Sequence, residues 1–307
     1  MEQPLLIVLL YFTAMISYNT KDWITFIFRF HKSDTFRKLW PLILFVCVYT
    51  AGVVYFETAY LKVGEKSHIR NITLMHGILS FVISMLLVFR TNTAYERWWE
   101  GRKLWGALVN NSRSLAVKVA AMLPATANKE RQFFRTIIPQ YAVALKNHLM
   151  KESTRLELDE KEHPEFNNIE YEKHVPNQVH LIIFKKVNDL YLQGKLQNEQ
   201  YRILNNEMQA YADICGACER IKNTPIPYSY SAFIKKFIFF YVMTLPWGYS
   251  YSLGYWTAPV VAFIFYVLAS LELIAEEIED PFGSDENDLP MQKISENIDK
   301  HVKEIIN

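Results

Sequence analysis

Between Phe237 and Leu271 the chain carries no charged residue. A bilayer core about 30 Å thick is crossed by about 20 apolar residues in helical form, so this run is too long for a single crossing. Pro246, Gly248, Gly254 and Pro259 lie near its middle, among Trp247, Tyr249, Tyr251, Tyr255 and Trp256. Helix-breaking residues embedded in interfacial aromatics predict two crossings joined by a turn at the membrane surface. Two further runs fit the same scale. Trp40–Leu61 contains one acid, Glu57, near its end, and Ile72–Phe89 contains no Asp, Glu, Lys or Arg, with Asn71 placed to cap it. Buried helices of a large soluble core are the alternative for these runs; their length and uncharged character favour the bilayer.

The remaining charge is segregated. Hydrophobic residues make up 50% of the 307, charged residues 21%, and the net charge is +1. Wholesale disorder and collagen-like sequence are excluded, and so near-neutral a chain lacks the basic footprint of nucleic-acid binding. Cys47, Cys215 and Cys218 are too few for a disulfide scaffold, which suits a reduced compartment. Pro4–Tyr18 is apolar but lacks the basic start and small-residue cleavage site of a signal peptide. It is expected to lie at or in the membrane surface, ahead of an amphipathic piece from Trp23 to Arg37, or to precede a true start at Met15.

Basic residues flank the runs: Lys32, Arg37 and Lys38 before the first, Arg90, Arg97, Arg102 and Lys103 after the second, Arg220, Lys222, Lys235 and Lys236 before the third. The positive-inside tendency then places both termini in the cytosol, with four crossings, although Lys62, Lys66 and Arg70 in the first loop weaken the bias. The expected layout is an interfacial segment over 1–39, crossings at 40–61 and 71–98, the second running on into the cytosol, a helical cytosolic region over 99–236, a hairpin of crossings at 237–275, and an acidic turn with a final helix over 276–307. Within the cytosolic region, helices are predicted up to the stop at Pro124, then over 133–150, 176–192 and 197–223, with the polar stretch 152–173 a loop. Pro290 is placed to open the last helix, with Ile294, Ile298 and Ile305 along one face.

Few residues suggest chemistry. Cys215-Gly-Ala-Cys218 has redox or zinc spacing, but it lacks a second ligand pair and sits in a predicted helix, so packing cysteines are expected. His76 in an apolar span is either functional or a neutral ring bonded to a neighbouring helix. Phe81, Met85 and Phe89 fall four apart, on one helix face that packs on lipid, on a helix or around an axis, and Gly77, Ser80 and Ser84 on adjacent faces permit close approach. Asp285, Glu286 and Asp288 follow Gly283, which suits either a solvated acidic turn, with Asp288 capping the last helix, or a hard cation. The nucleophile elbow, P-loop, zincin and dinucleotide patterns are missing from the sequence, and no enzyme is expected.

Three stretches carry more than composition: RTNTAYERWWEGRKLWG from Arg90 to Gly106, CERIKNTPIPYSY from Cys218 to Tyr230, and IEDPFGSDENDLP from Ile278 to Pro290. Together they resemble the bacterial branch of the bestrophin family, from about Met15 to the C-terminus. The resemblance implies an all-α membrane protein with four transmembrane helices and a large cytosolic helical region, assembled as a homopentamer around a central pore. It implies that the second membrane helix lines a hydrophobic neck, whose residues match Phe81, Met85 and Phe89. Bacterial relatives tend to carry Ile at the first two, so Phe81 and Met85 keep the ring apolar but change its width. A cytosolic aperture, usually an Ile ring, aligns with Glu199, a departure that favours cations; a register shifted by one residue would instead turn Glu199 to solvent. Calcium ligands of animal members match Asp285 and Asp288, with Asp280 and Ser284 where backbone oxygens contribute.

The function expected is passive, gated conduction of monovalent cations across a bacterial inner membrane, by a multi-pass pentamer in contact with lipid and without nucleic acid. Calcium is a metal that the resemblance allows. An anion channel, or a non-conducting helical scaffold, is the alternative.

Overall fold

The computed structural model describes residues 35–61, 72–152, 156 and 168–306. Eight α-helices run in order among them: α1 (Thr35–Phe56), α2 (Ile72–Met122), α3 (Asn128–Met150), α4 (Val175–Leu192), α5 (Asn198–Asn223), α6 (Tyr228–Leu253), α7 (Thr257–Glu279) and α8 (Met291–Ile305). A π turn, Glu57–Leu61, follows α1, and a 3₁₀ turn, Gly254–Trp256, joins α6 to α7. The expected surface-lying segment before Thr35, and most of the expected loop over 152–173, lie outside the described residues. These helices form two compact units, one built from residues up to 99 with 224–281, the other from 100–223 with 282–306.

The first unit is apolar and contains the stretches long and apolar enough to cross a membrane: Thr35–Tyr60, the start of Ile72–Met122, and Tyr228–Glu279, which holds the α6–α7 hairpin. The turn falls at Gly254, whose φ of 54° favours a residue without a Cβ. Pro246 is accommodated inside α6. Lys235 near the start of α6 meets Glu276 near the end of α7 at 2.8 Å, and Lys38 near the start of α1 meets Glu277 at 2.6 Å, so α7 runs antiparallel to both. Val46, Ile83, Leu87, Ile234, Ile238, Leu245, Val261 and Phe265 form the buried core. Among lipid tails such a core is held by close packing and interhelical hydrogen bonds rather than by escape from water. Gly248 shows this. A Cβ there would stand 3.1 Å from His76 Nδ1, while Thr73 donates to the Gly248 carbonyl at 2.9 Å.

The second unit has a closely packed apolar core. Phe133, Phe134, Ile137, Ile138, Val179, Ile183 and Val187 are fully buried, each worth about 1.5–3 kcal/mol of transfer free energy. Local signals set its helix ends. Helix α2 stops at Met122, since Leu123 precedes Pro124. Arg131 Nη1 donates to the carbonyls of Ala120 and Leu123 at 3.2 and 3.0 Å, satisfying acceptors that the helix leaves open. After α4, Gly194 at φ 69° closes a Schellman turn through Gly194 N–H to Tyr191 O at 3.0 Å and Lys195 N–H to Leu190 O at 2.9 Å. Cys215 and Cys218 are free, buried packing residues.

One sequence expectation is extended and two are corrected. The second span, expected to run on beyond the membrane, continues as one uninterrupted helix of 51 residues, about 76 Å at about 1.5 Å per residue. The charged stretch from Arg90 marks a change of surroundings, since nothing there breaks a helix. The hairpin begins at Tyr228, ahead of Lys235 and Lys236, because the proline turn at 224–227 stops α5 and releases the chain directly into α6. Asp288 does not cap α8, whose N-cap is Pro290; its carboxylate instead accepts from Asp285 N–H at 2.6 Å.

Candidate functional site

Along its membrane portion α2 has two unlike faces. His76, Ile83, Leu87, Arg90 and Ala94 are buried. Phe81, Met85 and Phe89 share the opposite side and stand 70%, 49% and 51% exposed in the single chain. The spacing of four puts them on one stripe. Ser80 donates to Gly77 O at 2.8 Å and Ser84 to Ser80 O at 2.7 Å, turning both hydroxyls back onto their own helix. What α2 offers outward on this stripe is therefore apolar.

The buried face explains how the stripe is held. His76 Nε2 lies 3.0 Å from Thr244 Oγ1 of α6, and its ring sits between Tyr241 and Tyr249. That is the neighbouring-helix bond weighed from the sequence. Glu57, noticed there only as a lone acid, is 3% exposed and accepts from Ser250 of α6. At the other end, directly after Phe89, Arg90 Nη2 donates to Glu279 Oε2 at 2.7 Å and Arg90 Nε faces Glu272 Oε1 at 3.4 Å. Two turns further, Arg97 donates to the carbonyls of Glu279 at 3.0 Å and Thr224 at 2.6 Å, and Ile226 N–H donates to Glu279 Oε1 at 2.7 Å. With Lys38 on Glu277 and Lys235 on Glu276, cations from α1, α2 and α6 converge on the end of α7. Four acids at a helix C-terminus oppose the helix dipole, and the converging cations offset that repulsion. Sequence reading took these basic residues as an orientation signal and missed their acidic partners.

The other site residues lie apart. Glu199 is exposed in the first turn of α5, where Gln200 Oε1 accepts from Gln197 N–H at 2.8 Å and fixes the helix start. Asp285 and Asp288 occupy one turn, closed reciprocally by Asp288 N–H to Asp285 O at 3.1 Å and by the carboxylate bond already described. Asp285 is exposed and Asp288 is 4% exposed. Asp280 is the residue that ends α7. A cluster with no sequence signal, His148, His174 and Glu219, completes the chemistry-bearing groups of the second unit.

Residues 15–304 match the family described as "Bacterial/Fungal Bestrophin protein". The chain is 35% identical over 232 residues to the voltage-dependent anion channel-forming protein alr2987 of Nostoc sp., covering 74% of this chain and 76% of that one. It is 30% identical over 281 residues to the voltage-dependent anion channel-forming protein YneE of Escherichia coli K12, covering 91% and 90%. In structure it is similar to a bacterial bestrophin homologue from Klebsiella pneumoniae solved as a leucine-to-threonine variant, with TM-score 0.76, 25% identity, and coverage of 87% and 98%.

Proposed function

The chain belongs to the bacterial and fungal bestrophin family and is a membrane ion channel; from that premise we propose that it conducts through a pore lined by the outward stripe of α2, in a homopentamer with its basic ends in the cytosol. The observation that carries this reading is the joint exposure of Phe81, Met85 and Phe89 on a helix whose other face is buried. Three large apolar side chains in a row leave a single chain with a surface that five copies around an axis would turn into a neck. Such a neck offers an ion no replacement for its water shell, and it passes current only when widened and wetted. The ion pairs of Arg90 and the backbone hydrogen bond of Arg97 at the end of α7 hold the lower end of the stripe, so widening is expected to be a helix movement rather than a local loosening.

For the ion, the relatives' printed names favour anions. The second reading, a monovalent cation channel in a bacterial inner membrane, rests on the exposed Glu199, since a ring of carboxylates at a cytosolic aperture attracts cations and repels anions. A planar-bilayer measurement of reversal potential under a NaCl gradient decides between them. A reversal near the chloride potential supports the anion reading, and one near the sodium potential supports Glu199 as filter. Absence of current in both the native protein and the alanine variant of the neck counts against a channel.

For calcium, Asp285 and Asp288 are hard oxygen donors gathered on one turn, which fits that ion. They are the side chains that would hold it, with Asp280 and Ser284 as backbone donors. A bound dication there would neutralise the turn and fix the start of α8.

A further inference from the structure

In the second unit three side chains converge from three helices that are distant in sequence. His148 lies in the last turn of α3, His174 is the N-cap of α4, and Glu219 is near the end of α5. His148 Nε2 stands 2.8 Å from Glu219 Oε1, and His174 Nε2 stands 2.5 Å from the same oxygen. The two rings are 4.3 Å apart, and all three ligand atoms lie within 4.8 Å of one another. The side chains are 32%, 31% and 29% exposed, neither solvated nor sealed. His148 and Glu219 line a cavity of about 410 Å³ whose walls also include Lys151, Glu152, Tyr171, Glu172 and Lys222. The pore stripe and the acidic turn use none of these residues.

We propose that His148, His174 and Glu219 form a binding site for a divalent transition metal of the zinc class, one per chain. Two imidazoles with one carboxylate are a borderline donor set. Calcium and magnesium take oxygen donors, whereas zinc takes three protein ligands of this kind and leaves a fourth position to water. The cavity supplies room for that water. At zinc–ligand distances of about 2.0–2.1 Å, tetrahedral ligand atoms stand about 3.3 Å from one another, so loading spreads the present hydrogen-bonded contacts by less than about an ångström.

Loading has a cost that ties the metal to the fold. His174 Nδ1 accepts from Asn177 N–H at 3.1 Å, forming the cap of α4. A neutral His174 ring therefore carries its proton on Nε2, directed at Glu219. A metal at Nε2 needs that lone pair, so the proton moves to Nδ1, where it confronts the Asn177 N–H. The metal and the helix cap compete for one ring, and occupancy frays the first turn of α4. The inference is independent of which ion passes through the pore, because its tests read metal and amides, not current.

The experiment is calorimetric titration of chelator-stripped, full-length protein in detergent with ZnCl₂. One zinc per chain is expected, with affinity lowered at least tenfold in the His148→Gln/His174→Gln variant and unchanged in Asp285→Ala/Asp288→Ala. Excess calcium is not expected to displace it. X-ray absorption at the zinc edge of the native protein should count two imidazoles, a readout that needs no variant to fold. Hydrogen exchange at Asn177 should speed up on loading. Binding weaker than millimolar, an unchanged affinity in the histidine variant, or an absorption spectrum without imidazole would overturn the assignment.

Discussion

Arg90 Nη2 meets Glu279 Oε2 at 2.7 Å with 1% of the arginine side chain exposed. Glu272, 5% exposed at the side chain, shares the same guanidinium. Removing one partner of a buried pair leaves the other charged and unpaired, which costs about 3–5 kcal/mol. Arg90→Ala is therefore expected to lower the unfolding temperature in detergent far more than Arg97→Ala, whose arginine is only half-buried. Arg90→Lys should recover only part of the loss, since an ammonium lacks the fork that reaches both acids. Equal melting curves for Arg90→Ala and the native protein would remove Arg90 as the anchor of α2.

The neck reading predicts a current. Truncating Phe81, Met85 and Phe89 together to Ala should raise basal conductance by about an order of magnitude or more, because a wider apolar ring wets more readily. Stability should change little, as all three are exposed in the protomer. Single-channel recording checks this. Unaltered conductance from a folded triple variant would make the stripe a lipid or packing surface.

Glu199 predicts selectivity. If the exposed carboxylates ring the aperture, Glu199→Ile should move the reversal potential towards that of chloride and leave the unitary conductance pathway intact. The expected shift is tens of millivolts at low salt and smaller at high salt, where exposed charge is screened within about 8–10 Å. A reversal potential that ignores the substitution would place Glu199 on a solvated face and leave the anion reading alone.

The apolar runs and the proline stops were readable because they are local. Ile72–Phe89 lacks charge, and Pro124 restricts the residue before it, where α2 ends. The hairpin at Gly254 announced itself through clustered Gly, Pro and aromatics. What a linear reading could not see is pairing at a distance. Arg90 lies 182 residues from Glu272 and 189 from Glu279, and Glu219 lies 71 and 45 residues from its two histidines. No spacing rule joins them, because the fold alone brings them together. Periodicity could place Phe81, Met85 and Phe89 on one face, but whether that face meets lipid or a pore is set by other copies of the chain. The run of α2 past Arg90 was legible too: hydropathy changes there, while the backbone has no cause to break before Pro124.

Cysteine chemistry gives a sharper test of the second unit. Burial pushes the Cys215 thiol up to about 12, with the nearby Glu219 carboxylate adding to it, and burial raises Cys218 as well. Near neutral pH the thiol form then dominates by a wide margin over the thiolate, the reactive form. In a Cys47→Ser background, maleimide should leave the folded protein unmodified over an hour and label two thiols per chain once it is unfolded. Prompt labelling of the folded protein would restore a reactive C-x-x-C.

Lys195, set by the Gly194 turn, places its ammonium 2.5 Å from Glu130. That bond, helped by a backbone hydrogen bond, holds the Glu130 carboxyl below the ordinary range against a smaller opposing effect of burial. A folded-state value below the unfolded one, about 4.3, means that the stabilisation is present above the unfolded value. It is lost as pH falls through the folded one. Lys195 is 45% exposed, so the contribution is expected at about 0.5 kcal/mol or less. Glu130→Gln should therefore melt slightly lower than the native protein from about pH 5 to 8, with the gap closing between about pH 5 and 3. Comparing the two proteins pH by pH cancels the titration of more distant groups. A gap that widens towards acid would reverse the sign and show that Glu130 is held protonated instead.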